Sequence, residues 1–130
     1  SAVADAQANA LRNSLTNVRF FAADVQKFLR KYDKEHVSVM IIDPPRAGMH
    51  PKALQRVIEI GAPKIVYVSC NPSTFARDIA LMSEKGYTLK KLSIVDQFPH
   101  TSHVEVVGEL FKAKAKANPK APKSQPKPSA

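Results

Sequence analysis

A chain of 130 residues, 44% hydrophobic and 24% charged, has room for one packed domain. Its single cysteine excludes an intramolecular disulfide framework and fits a reducing cytoplasmic setting. No apolar stretch approaches the length of a membrane span and the N-terminus carries no signal-peptide core, so neither a membrane partner nor export is expected.

The net charge of +9 is unevenly placed. Residues 112–130, KAKAKANPKAPKSQPKPSA, hold six lysines and four prolines and lack acidic and aromatic side chains. Such a composition buries too little apolar surface to offset its ordering entropy, which predicts a disordered basic tail after a domain at 1–111. A lysine-rich tail suits salt-sensitive attraction to RNA phosphates, or serves only as a solubilising appendage.

Along the chain, the alanine-rich residues 3–14 predict a helix. Residues 18–22, Val-Arg-Phe-Phe-Ala, read as a short strand ending at Asp24, and 25–31 as one or two helical turns. Residues 37–42 form an almost unbroken apolar run, as in a parallel strand covered on both faces. It ends at Asp43, Pro44, Pro45 and Arg46, and a helix is predicted from Pro51 to Ile60. A buried strand at 65–69 stops at Cys70. Asn71 as N-cap and Pro72 at the first helical position then open a helix that runs to about Lys85, with Gly86 as its stop. Strands at 88–95 and 104–111 close the domain; their connection is too short for a helical crossover, so this last pair is predicted to be antiparallel. The fold class is α/β, with a mostly parallel sheet.

Polar residues gather at three strand ends. Cys70 lies at the carboxyl edge of a sheet, where open α/β sheets bind ligands, and beside a helix N-terminus that favours a thiolate; the alternative is a small buried thiol. Two prolines stiffen the turn that presents Asp43. The third loop carries Phe98, His100 and His103 ahead of Glu105. Cys70, His100 and His103 fit no common zinc spacing and lack a fourth ligand, so no metal site is predicted.

Taken in series, DPPRAG at 43–48, IVYVSCNPSTFARD at 65–78 and DQFPHTSHVE at 96–105 resemble the S-adenosylmethionine-dependent RNA uracil-5-methyltransferases, in the right order and spacing over roughly residues 3–111. The resemblance implies a class I, Rossmann-like methyltransferase fold and transfer of a methyl group to C5 of a uridine in rRNA or tRNA. Cys70 is then the nucleophile that adds to uracil C6, and Glu105 the base that removes the C5 proton. Asp43 and Asp24 would contact the cofactor, Asp24 serving equally as a helix N-cap. Arg46, Phe98, His100 and His103 would meet the RNA, Phe98 by stacking on a flipped base. Two other readings stay open: an amino-group methyltransferase using the Asp43 turn, and a non-catalytic RNA-binding piece working through the tail.

The chain departs from the family pattern in two respects, one being that the family's usual N-terminal RNA-binding region, often an OB-fold, has no counterpart in it. The family's cofactor-wrapping glycine-rich turn and the strand before it, with the next strand and its acid, have no counterpart among Gly48, Gly61, Gly86 and Gly108 and their surroundings. The chain therefore reads as the C-terminal catalytic part of such an enzyme, lacking the first two strands of the sheet. On this view the strands at 37–42, 65–69, 104–111 and 88–95 form one contiguous sheet in that order. The segment at 18–22 is displaced, pairs with the 37–42 strand directly, or is supplied between two chains. An exposed sheet edge is thereby open to self-association.

Overall fold

A computed structural model describes residues 1–32, 37–97, 99–101 and 103–114. Helix α1 spans Ala2–Arg12, capped by the Ser1 hydroxyl, and α2 spans Val25–Lys31. Strand β1, Val39–Ile42, leads into α3, Pro51–Ile60, which is closed by Gly61 in left-handed backbone at φ 72°. Strand β2 is Lys64–Ser69 and α4 is Pro72–Glu84; strands β3, Tyr87–Val95, and β4, Glu105–Lys112, follow. Helices α3 and α4 begin on proline, whose missing N–H costs nothing in the first turn, and both follow a side-chain cap, His50 and Asn71.

The four strands form one sheet in the order β1-β2-β4-β3. This is the contiguous order expected for the four later strands. The expectation of a mostly parallel sheet needs correcting. Only β1 and β2 pair in parallel, whereas β4 lies between β2 and β3 and runs antiparallel to both. Three strands share a direction, yet the short loop that returns β4 between two of them makes two of the three ladders antiparallel.

A second correction concerns residues 18–22, which form no strand: the backbone there joins no ladder. The β-prone side chains predicted the element, but a strand exists only where a neighbour takes its backbone hydrogen bonds. Nor is β1 covered on both faces. Val39 is 50% and Ile41 71% exposed, while Met40 and Ile42 pack against the core.

The core lies on one side of the sheet. Ile65, Tyr67 and Ser69 of β2 and Val106, Gly108 and Leu110 of β4 alternate inward, opposite Ala53, Leu54 and Val57 of α3 and Phe75, Ile79 and Met82 of α4. Complete burial of Ile65 or Leu110 contributes on the order of 2 kcal/mol each. Tyr67 and Phe75 meet edge-on at 5.4 Å, and Gly108 leaves the space that the Phe75 ring occupies. On the other side Lys64 pairs with Glu109 at 2.7 Å, holding the Glu109 carboxyl below its ordinary range. Strand β4 runs through Lys112, one residue past the predicted domain end, and the Ala113 amide donates to the Gly86 carbonyl. Most of the predicted tail, 115–130, lies outside the described residues. Among the described residues, no helix is long and apolar enough to cross a membrane.

Candidate active site

Cys70 sits just past the end of β2. In the β2–β4 ladder Lys64 faces Phe111 and Ser69 faces Val106, which is the last pair. Cys70 directly follows Ser69, and Glu105 directly precedes Val106 as the first residue of β4, where it pairs with Val95 of β3. Both residues are half-buried. A thiol and a carboxylate thus lie at the same end of the sheet, at the carboxyl end of β2.

Beyond Cys70 the chain turns on local hydrogen bonds. The Asn71 amide donates to the Ser69 hydroxyl at 3.1 Å, which donates back to the Asn71 carbonyl at 3.0 Å. Asn71 caps α4 by accepting from the Ser73 amide, as its sequence position predicts, and puts the positive end of the helix dipole next to Cys70.

The 43–48 turn is fastened to this helix. The Arg46 carbonyl accepts from Asn71 Nδ2 at 3.1 Å and from the Thr74 hydroxyl at 3.2 Å. The Ala47 carbonyl accepts from Arg77 Nη2 at 3.1 Å, and the Met49 amide donates to Asp78 Oδ2 at 2.8 Å. Asp78 is 1% exposed; it also accepts from the Tyr67 hydroxyl at 2.5 Å and pairs with Arg77 at 2.8 Å. Burial, and then the bond to Asp78, push the Tyr67 phenol well above its ordinary range, so it stays a donor.

The third loop joins through Arg46, whose Nη1 lies 3.3 Å from His103 Nδ1. The structure therefore brings Arg46, Cys70, His103 and Glu105 to one end of the sheet. His100 stands exposed in left-handed backbone at φ 68°, apart from those contacts. Phe98, the predicted stacking residue, lies outside the described residues.

Asp24 and Asp43 line a separate, adjoining cleft of about 890 Å³ between α2, β1 and α3, walled by Met40, Ile42, Ala53 and Val57. Asp24 caps α2, accepting from the Lys27 amide at 2.9 Å. The cap was foreseen as one of its two uses. Apolar walls with two carboxylates at the rim, in a volume typical of cofactor clefts, fit a nucleoside-bearing cofactor. Among the described residues no three His, Cys, Asp or Glu side chains are grouped to hold a metal ion.

Sequence reasoning passed over Tyr67, Thr74, Arg77 and Asp78. One signal was available: Asp78 shares a helical face with Phe75, Ile79 and Met82, which puts a carboxylate at a core position.

Residues 1–114 match the family model described as tRNA (uracil-5-)-methyltransferase. An uncharacterized RNA methyltransferase of Caldanaerobacter subterraneus subsp. tengcongensis is 50% identical over 112 residues, covering 86% of this chain and 25% of that protein. One from Fusobacterium nucleatum is 46% identical over 110 residues, covering 83% and 24%. This chain spans about a quarter of the length of these relatives. Among solved structures, the Pyrococcus abyssi tRNA (uracil-54, C5)-methyltransferase in complex with S-adenosyl-L-homocysteine superimposes with a TM-score of 0.72 at 37% identity, over 85% of this chain and 26% of that one. On the match that runs from residue 1 to 114, the chain belongs to the tRNA (uracil-5-)-methyltransferase family.

Proposed function

We propose that the chain is the catalytic portion of an RNA (uracil-5-)-methyltransferase that acts on a uridine in tRNA or rRNA through a covalent Cys70 adduct. The observation that supports this reading is that Cys70, just past the end of β2 and before the α4 N-terminus, and Glu105, at the start of β4, lie at the same end of the sheet. The Cys70 thiolate adds to C6 of the uracil ring and leaves an enolate whose C5 is nucleophilic. S-adenosylmethionine, when bound, supplies the electrophilic methyl group. Glu105 then takes the C5 proton, and the electron pair released expels the Cys70 sulfur from C6. Asp43 and Asp24 hold the cofactor at the two sides of the α2–β1 cleft. Arg46 and His103, in contact with each other, meet the RNA backbone or the base; the same role is assigned to His100 and Phe98 from their place in the sequence motif.

A full class I methyltransferase sheet carries two further strands beside β1, and we read β1 as the edge at which they would join; among the described residues it pairs with β2 alone. Its free edge takes a second polypeptide, and for this chain in solution that is another copy of itself.

Calorimetric titration with S-adenosylhomocysteine is expected to show one saturable site per chain, lost in Asp43→Ala. A short oligoribonucleotide carrying 5-fluorouridine, added with S-adenosylmethionine, then traps the chain as a covalent adduct, because fluorine at C5 cannot leave as a proton. Intact mass detects the adduct, and Cys70→Ala abolishes it. Methylation of RNA that survives Cys70→Ala points instead to amino-group chemistry at the Asp43 turn. RNA binding without cofactor binding or adduct points to a non-catalytic role.

A further inference from the structure

We infer that Asp78 and Arg77 are positioning residues: they clamp the 43–49 turn by its backbone onto α4 and so keep Asp43 and Arg46 in register with Cys70. The inference rests on the methyl-transfer reading of the same site, and it assigns a task to a buried ionic group that this chemistry leaves unused.

Four backbone groups of the turn are held by side chains of one helix and its N-cap residue. Asn71 and Thr74 hold the Arg46 carbonyl, Arg77 the Ala47 carbonyl, and Asp78 the Met49 amide. Arg77 Nη2 also approaches the Met49 carbonyl at 3.5 Å. The spacing at 71, 74, 77 and 78 follows the helical repeat, so a single rigid element reads the whole turn. Cys70 directly precedes the same element. A prolyl turn of this length has no ladder to fix it; without the helix it would pivot at the end of β1.

A carboxylate suits the clamp because it only accepts and has room for several donors. Asp78 Oδ2 takes the Met49 amide and the Tyr67 hydroxyl, while Oδ1 takes the Arg77 guanidinium. The Arg77 charge compensates the buried anion and its second nitrogen reaches the turn, which makes the two residues one device. Gly48 completes it, since a Cβ there would lie 2.5 Å from Arg77 Nη2 and 2.8 Å from Asp78 Oδ2. Elsewhere in the core, packing is apolar; Ser69 and Asp78 are the buried polar residues among those described. A buried charge placed against one loop rather than distributed through the core is the mark of positioning.

The test compares wild type with Asp78→Ala, Asp78→Asn and Arg77→Ala. Amide hydrogen exchange of the 46–50 segment is read beside that of β4, together with the alkylation rate of Cys70 by iodoacetamide, which modifies the chain's one cysteine, and S-adenosylhomocysteine affinity. In Asp78→Ala and Arg77→Ala the Met49 segment is expected to exchange about 10- to 100-fold faster, while β4 keeps its protection. Cys70 alkylation changes several-fold and cofactor affinity falls about tenfold. Asp78→Asn keeps an oxygen for the Met49 amide and restores most of each value. Arg77 is half exposed, so its removal reads the clamp even where Asp78→Ala fails to fold. Equal loss of protection in the turn and in β4, or an unchanged turn in Arg77→Ala, overturns the inference and makes Asp78 a core residue only. A wild-type chain that binds no S-adenosylhomocysteine fails the methyltransferase reading, and exchange and alkylation still decide the clamp.

Discussion

Gly48 shows how a single position couples the backbone to the site. Its φ of 80° lies in the left-handed region, and Arg77, Asp78 and Thr74 surround the place where a Cβ would stand. Gly48→Ala combines backbone strain with a displaced Arg77, and should destabilise the chain by about 2 kcal/mol. Thermal unfolding followed by circular dichroism checks this; an unchanged midpoint means the turn has slack that the contacts do not show. The sequence offered Gly48 as one glycine of a loop motif, without its reason. Asn71 and Pro72 were fully legible, because a cap and a first-turn proline act within three residues of themselves. Asp78 was not legible, since the partners that make its burial tolerable, Tyr67 and the Met49 amide, are 11 and 29 residues away. Asp24 shows an intermediate case: its cap is local, whereas its place on the rim of the cleft depends on how α2 docks.

At the level of elements, α2 is only seven residues long and cannot hold itself in water. Arg56 of α3 supports it. Its Nε donates to the Leu29 carbonyl at 2.9 Å and its Nη2 to the Tyr32 carbonyl at 3.0 Å, satisfying the open end of the helix, while Nη1 pairs with Glu59 at 3.1 Å. Removing this side chain frees α2 and with it one wall of the proposed cofactor cleft. Arg56→Ala should weaken α2 locally by about 1–2 kcal/mol, seen as faster amide exchange over 25–32 with β2 and β4 unaffected. S-adenosylhomocysteine binding should weaken in parallel. Exchange that stays slow in α2 would show that Phe21, Phe28 and Tyr32, whose tilted rings meet in sequence at 5.1 and 5.8 Å, suffice to hold it. Helices α3 and α4 were predicted almost to the residue, as proline starts and glycine stops are local signals. Residues 18–22 were mistaken for a strand because β propensity reports side-chain fit to a sheet and says nothing of whether a partner is there.

At the scale of the molecule, the sheet is packed on one face and open on the other. Val39 and Ile41 stand exposed at the β1 end, beside half-buried Val66, Val68 and Val107. Among the described residues nothing pairs with the outer edge of β1, and such a strand is a template for another chain. Sedimentation equilibrium is expected to show concentration-dependent self-association. Ile41→Lys, which places a charge on the open face without touching the core, should shift the chain towards monomer. A wild-type chain that is monomeric at every concentration refutes self-association through β1.

The sequence by itself determined the α/β class, the helix boundaries, the contiguous order of the four strands and, through three motifs in series, the family. The class and the helices follow from local propensity and capping that reside in short stretches of chain, whereas the strand order came only with the family resemblance. Tertiary structure alone decided that Cys70 and Glu105 come to the same end of the sheet, that Arg46 meets His103 across 57 positions, and that Asp78 is sealed beneath the turn it holds. Register and burial depend on which distant segments share a face. That is settled by packing the whole sheet against α3 and α4, and no local pattern carries it.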